Sequence, residues 1–147
     1  MPTILIVNGP NMNLLGKREP EIYGAKTLSD LESGLSALAA SLGVEVRLFQ
    51  SNSESAIVDF IQEYGFDADG MIINPGAFTH YSYAIRDAIS SVGVRTVEVH
   101  LANLHNREEF RSRSVMAAVC AGQIAGLGFS GYHAALRFLA VQGEEIQ

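Results

Sequence analysis

The chain carries a single cysteine, Cys120. That excludes an internal disulfide and any metal site built from thiolates. Lysine is almost as scarce: of the ten basic residues, Lys17 and Lys26 are the lysines and the other eight are arginine. Neither lysine follows an apolar run, so a buried Schiff-base lysine is not expected. The formal net charge is −6, and no cluster of Lys or Arg offsets it. A nucleic-acid binder, which must neutralise phosphates, is therefore excluded. No apolar run approaches the ~20 residues of a membrane span. The opening MPTILIVNGP has a short apolar run, with no basic stretch before it and no small-residue cleavage site. It reads as a first strand rather than a signal peptide, and a cytoplasmic location is expected. There is no G-x-x-x-x-G-K-[ST] and no G-x-G-x-x-G after the first strand, so neither a P-loop nor a dinucleotide site is expected. The carboxylates that a phospho-acceptor receiver needs after its first strand are also missing.

What remains is an alternation of strand and helix in 147 residues that are 48% hydrophobic, enough for one domain with a real core. Thr3–Asn8 (TILIVN) is a continuous apolar run, as in a strand covered on both faces of a parallel sheet. A long loop, Gly9 to Lys26, follows. Thr27 then caps a helix whose Leu28, Leu31, Leu35, Leu38 and Leu42 share one face, and Gly43 ends it. Val44–Gln50 is a second strand, and Ser53 caps a helix with Ile57, Phe60, Ile61 and Tyr64 on one side. Gly70–Asn74, Arg95–His100 and Ala121–Leu127 are three further strands. Helices are expected over about Ser82–Val92 and Tyr132–Val141, with at most a helical turn over Glu108–Arg113. Five strands with crossover helices predict a doubly wound α/β domain with a five-stranded parallel sheet and helices on both faces. At this length the flavodoxin-like strand order 2-1-3-4-5 is expected.

In such sheets a ligand sits beyond the carboxyl ends of the strands. Those ends read NGPN (Asn8–Asn11), QSNS (Gln50–Ser53), NPGAFTH (Asn74–His80) and HLANLHNRE (His100–Glu108). They supply amides, hydroxyls, imidazoles and arginines, but no carboxylate cluster for a metal. Four such ends converging predict a pocket for a polar small molecule.

NGPNMNLLGKREPEIYG (Asn8–Gly24), QSNSE (Gln50–Glu54), INPGAFTH (Ile73–His80), EVHLANLHNREEFR (Glu98–Arg111) and GLGFSGY (Gly126–Tyr132), taken in order, closely resemble type II 3-dehydroquinate dehydratase. The resemblance covers almost the whole chain. It implies a flavodoxin-like fold over residues 1–147 with a mobile loop at about 16–26. It also implies assembly as a homododecamer, a tetramer of trimers, and dehydration of 3-dehydroquinate to 3-dehydroshikimate without metal or cofactor. That reaction serves the shikimate pathway of aromatic amino acid biosynthesis. The same reaction in quinate catabolism and a sensor that binds a cyclic polyol acid without turnover are the alternatives.

The resemblance also implies roles. Tyr23 is the base, acting as a tyrosinate; an ordinary tyrosine has a pKa of ~10, so only about a thousandth is ionised at neutral pH. The guanidinium of Arg18 favours the phenolate, and glycines at both ends let the loop close. His100 is the general acid, and Glu98, two residues earlier on the same strand face, favours its protonated form. Asn11 holds a water on the developing enolate oxygen. Asn74 and the backbone N–H groups of Leu101 and Ala102 cradle the substrate carboxylate. His80 and Arg111 contact ring hydroxyls, and Asp87 reaches the neighbouring subunit's site. An ion pair between Glu98 and Arg107 is expected to stiffen the floor, and His133 is expected at the surface, opening the last helix. Ala102 stands where the family commonly has serine, Arg113 where it has histidine, and Tyr81 and Tyr83 where it has smaller side chains, so the rim near His80, or the trimer contact, is expected to be bulkier.

Overall fold

The computed structural model describes residues 1–141, and Tyr23 by its backbone alone. Five parallel strands form one sheet: β1 (Thr3–Asn8), β2 (Glu45–Gln50), β3 (Gly70–Asn74), β4 (Thr96–His100) and β5 (Gly122–Ala125). Their order is β2-β1-β3-β4-β5, the expected flavodoxin-like arrangement. The helices are α1 (Pro20–Tyr23), α2 (Leu28–Leu42), α3 (Glu54–Tyr64), α4 (Tyr83–Val92) and α5 (Phe129–Ala140).

The central strand β1 serves two cores because successive side chains point to opposite faces. From β1, Ile4 and Ile6 join Leu31 and Leu35 of α2 and Leu136 and Leu139 of α5. Leu5 and Val7 face the other way, onto Ile57 and Ile61 of α3 and Ile85 and Ile89 of α4. Burying each of these large side chains contributes roughly 1.5–3 kcal/mol, which is why an unbroken apolar run is stable as a central strand. The helix starts follow the sequence chemistry. Thr27 and Asp30 form a reciprocal capping box on α2, and Ser53 and Ser82 accept from the backbone N–H of Ala56 and Ile85 to cap α3 and α4.

Three expectations change. The first loop contains a helical turn, α1, started by Pro20 and closed by Gly24 N–H donating to Pro20 O at 2.8 Å. Gly16, at φ +91°, turns the chain into it, and a Cβ there would sit 2.9 Å from Ala25 O. Next, β5 ends at Ala125 rather than Leu127, because Gly126 takes φ +88°. Finally, α5 begins at Phe129, three residues before the expected Tyr132. His133 therefore lies inside α5, half-buried, with its ring beside Gly34 of α2.

Parallel strands bring their carboxyl ends to one edge. Asn8 pairs in register with Gln50 on one side and Asn74 on the other, and His100 ends β4 nearby. The loops leaving β1 and β3 approach closely. Gly9 N–H donates to Asn74 O at 2.8 Å, and a Cβ on Gly9 would lie 2.6 Å from Pro75 O.

Candidate active site

A cavity of about 160 Å³ opens at this edge. Asn11, Arg18, Asn74, His80, His100, Leu101, Ala102 and Arg111 all line it, so eight residues singled out by the sequence meet in one place. Met12, Leu104 and Arg107 complete much of the wall. Asp87 is exposed on α4 and does not line the cavity of its own chain. Glu98 lies beneath the cavity rather than on its wall. The Tyr23 ring lies outside the described atoms. Lys17 and Lys26 are both exposed and absent from the lining.

The β1 loop is tied down from the second strand. Gln50 Nε2 donates to Gly9 O at 3.1 Å and to Asn52 Oδ1 at 3.2 Å. Asn52 Oδ1 in turn accepts the Asn11 N–H at 3.0 Å. Asn11 itself sits at φ +70°, a left-handed conformation that asparagine tolerates better than most residues. Arg18 and Arg107 both place Nη2 3.8 Å from Glu19 Oε2, so one carboxylate links the loop to the segment after β4. This replaces the pair expected between Arg107 and Glu98. The Glu98 carboxylate is occupied by other donors.

Those donors define the buried heart of the site. Glu98 is fully buried and His100 nearly so. Their side chains sit on the same face of β4, and His100 Nε2 lies 2.5 Å from Glu98 Oε2. Thr79 Oγ1 also donates to Oε2, and Ser114 Oγ donates to Oε1 at 2.8 Å. The direction of the Ser114 bond is forced: its oxygen accepts from the N–H groups of Met116 (3.1 Å) and Ala117 (3.0 Å), so its hydrogen can only be given away. Burial pushes the Glu98 carboxyl up, yet the His100, Thr79 and Ser114 hydrogen bonds outweigh it and hold the group below the usual carboxylate range. An ionised Glu98 accepts only, so His100 Nε2 must carry a hydrogen. Its Nδ1 is left for the cavity.

The segment bearing Arg111 is docked beside this pair. Val115 N–H donates to Thr79 O at 2.8 Å, and His80 Nδ1 lies 2.7 Å from Arg113 O. A carbonyl cannot donate, so His80 Nδ1 is protonated and a neutral ring offers Nε2 as an acceptor. Because the contact is to the backbone of residue 113, an arginine there instead of histidine leaves it intact. Arg111 Nε lies 3.1 Å from Glu108 Oε1 but is not aligned as a hydrogen bond, so that contact is Coulombic. Tyr81 and Tyr83 are exposed, and neither lines the cavity.

Residues 2–140 match the family model described as Dehydroquinase class II. The chain belongs to this family. It is 54% identical over 143 residues, 97% of each chain, to the 3-dehydroquinate dehydratase of Bacillus pumilus. It is 57% identical over 136 residues to that of Bacillus cereus, covering 92% of this chain and 93% of the relative. Among solved structures, type II dehydroquinase from Butyrivibrio crossotus superposes with TM-score 0.92 at 50% identity, covering 94% of this chain and 97% of that one. The Propionibacterium acnes type II dehydroquinase gives 0.93 at 42% identity, covering 97% and 98%.

Some residues of this class II dehydroquinase site gave no local signal. Thr79 and Ser114 are 35 positions apart and meet only through the docking of two loops. A hydroxyl beside each residue flagged on the cavity wall, Thr79 before His80 and Ser114 three after Arg111, was the available hint. Tyr132 was visible within a motif, but its partners Asn8 and Asn74 lie 124 and 58 residues away.

Proposed function

We infer that this chain dehydrates 3-dehydroquinate to 3-dehydroshikimate, a hydro-lyase step of the shikimate pathway. The observation that carries the reading is the Glu98–His100 pair at the floor of a cavity walled by Arg18, Arg111, His80 and Asn11. The substrate is a β-hydroxy ketone bearing a carboxylate. Its loss of water needs a base at the carbon alpha to the ketone, somewhere for enolate charge, and an acid at the departing hydroxyl.

Tyr23, as a tyrosinate favoured by the Arg18 guanidinium, takes the alpha proton. The C–H electrons form the enolate double bond, and the ketone oxygen gains the negative charge, which a water held by Asn11 stabilises. The enolate then collapses: the ketone re-forms, a double bond forms to the neighbouring carbon, and the C–O bond breaks as His100 Nδ1 gives its proton to the hydroxyl. Water leaves. The proton now on Tyr23 must return to His100 before the next turnover, and no oxidant or reductant is consumed. The Glu98 carboxylate accepts from His100 Nε2 and holds the imidazole in place for that transfer. Asn74, Leu101 and Ala102 hold the substrate carboxylate, and His80 and Arg111 hold ring hydroxyls. The loop over residues 16–26 closes on the bound substrate.

Assembly as a tetramer of trimers, with Asp87 reaching a neighbour's site, is part of the same proposal. Support comes from Tyr81 and Tyr83, exposed at the start of α4, and from Asp87, exposed within it. Among the described residues no helix is long and apolar enough to cross a membrane, and a cytoplasmic location is proposed. The deciding experiment is a spectrophotometric assay of the purified protein with 3-dehydroquinate, following the conjugated enone of the product. Turnover that survives chelation supports the reading. Binding without enone formation would replace it with the polyol-acid sensor.

A further inference from the structure

GLGFSGY ends in a tyrosine to which the reaction above gives no task. We infer that Tyr132 is a positioning residue: its hydroxyl locks the side-chain amide of Asn74 so that one N–H of that amide is left facing the cavity for an anionic oxygen of the substrate. The inference rests on the function proposed above and deepens it, by assigning what selects a carboxylate-bearing ligand.

Hydrogen-bond direction carries the argument. Gly76 N–H can only donate, and it lies 3.1 Å from Asn74 Oδ1. That fixes the oxygen end of the amide and turns Nδ2 toward Tyr132, whose oxygen lies 3.0 Å away. The phenol must therefore accept there. Its own hydrogen goes to Asn8 Oδ1 at 2.5 Å. Every bond in this chain, from Gly76 through Asn74 and Tyr132 to Asn8, has one consistent direction. All three side chains are buried: Asn8 and Tyr132 are 0% exposed and Asn74 3%.

The second hydrogen on Asn74 Nδ2 is the functional remainder. It lies against Met12 Sδ at 3.5 Å, and a thioether is a weak acceptor. Met12 and Asn74 both belong to the cavity wall. A carboxylate oxygen entering the cavity is a far better acceptor and displaces the sulfur. With the amide reversed, the same point would present a carbonyl lone pair and repel a carboxylate. Without the Tyr132 oxygen, one buried N–H loses its partner, and the Gly76 N–H alone is left to hold the amide in this orientation. Sequence position makes the arrangement possible: Gly131, whose Cβ would lie 3.1 Å from Ile124 Cγ2, lets this turn of α5 press onto the sheet below the strand ends.

Tyr132→Phe removes the hydroxyl and keeps the ring. Wild type and variant are compared with two competitive ligands, quinate and the same cyclohexane polyol with hydrogen in place of the carboxylate. A hydrogen bond to a charged group sets the expected loss of quinate affinity at roughly tenfold or more. The decarboxylated polyol should bind both proteins about equally, and KM for 3-dehydroquinate should rise more than kcat falls. A purely structural role would weaken both ligands alike, and that result, or no loss for either, overturns the inference. If Tyr132→Phe does not fold, Asn8→Ala carries the test. It frees the phenol hydrogen to swing toward Asn74 and should produce the same selective loss for quinate; an unselective loss or none overturns the inference equally. Wild-type protein that binds quinate selectively but never turns over 3-dehydroquinate would defeat the proposed reaction and leave the amide lock standing.

Discussion

Glu98→Gln changes one atom of a fully buried side chain, and the surrounding donors determine what it costs. The carboxylate takes hydrogens from Thr79 and His100 on one oxygen and from Ser114 on the other. Glutamine has one oxygen and one NH2. With its oxygen toward Thr79 and His100, the NH2 meets the Ser114 hydroxyl, whose acceptor sites are already filled by Met116 and Ala117 N–H. Turning the amide over sets the NH2 against both Thr79 and His100 instead. Either way a buried donor is orphaned, which costs about 1–3 kcal/mol. A neutral amide in place of the carboxylate also weakens the hydrogen bond that holds the His100 ring. The stability loss should therefore be of that order, while the acid loses the partner that positions it. General acids contribute ~10²–10⁴ in rate, so kcat should fall by that order. Turnover of 3-dehydroquinate, with guanidinium unfolding in parallel, reads both quantities. A variant keeping wild-type kcat would refute the role given to the pair.

Ser114→Ala should raise the Glu98 pKa. A carboxyl held below its ordinary range contributes stability that is present above the unfolded value and lost as pH falls through the folded one. Loss of the Ser114 hydrogen bond should therefore bring acid unfolding to higher pH, seen in thermal melts across the acid range. Gly9→Ala forces a Cβ against Pro75 backbone atoms 2.6–2.7 Å away, which cannot rotate aside. It should cost about 1–3 kcal/mol in urea unfolding and raise KM, as the loops after β1 and β3 part. Burial, helped by the Glu98 charge, pushes the half-buried Cys120 thiol up to about 12. A disulfide reagent should therefore label it far more slowly in native protein than after denaturation.

The strand ends were legible because their chemistry is local. An apolar run stopping at Asn8, Gln50, Asn74 or His100 marks both where a strand ends and where polar groups collect. Helix starts were legible where a hydroxyl caps them, at Thr27 and Ser53, and Ser82, expected as the first residue of α4, is its cap. The start of α5 was not, because Gly131 reads as a helix breaker in sequence. In the fold it is the residue that permits close packing on Ile124. The turn Pro20–Tyr23 is too short to show any period, although proline at its first position was a usable sign. Harder to read were the groups that surround Glu98 and Asn74. Thr79 and Ser114 reach Glu98 from separate loops, and Tyr132 reaches Asn74 from the far end of the chain. No spacing rule connects them, since only the sheet order brings them together. Asp87 shows the other limit: a residue whose expected task lies in a neighbouring subunit has nothing to do in one chain.

The central claim is that proton abstraction and water loss are separate steps, with His100 serving only the second. His100→Ala in heavy water separates them. Product formation should collapse, while 3-dehydroquinate recovered from the reaction should have exchanged its alpha hydrogen for deuterium, because the base still forms the enolate and solvent deuterium returns to it. Recovered substrate free of deuterium, or a variant that still releases product at the wild-type rate, would contradict the account.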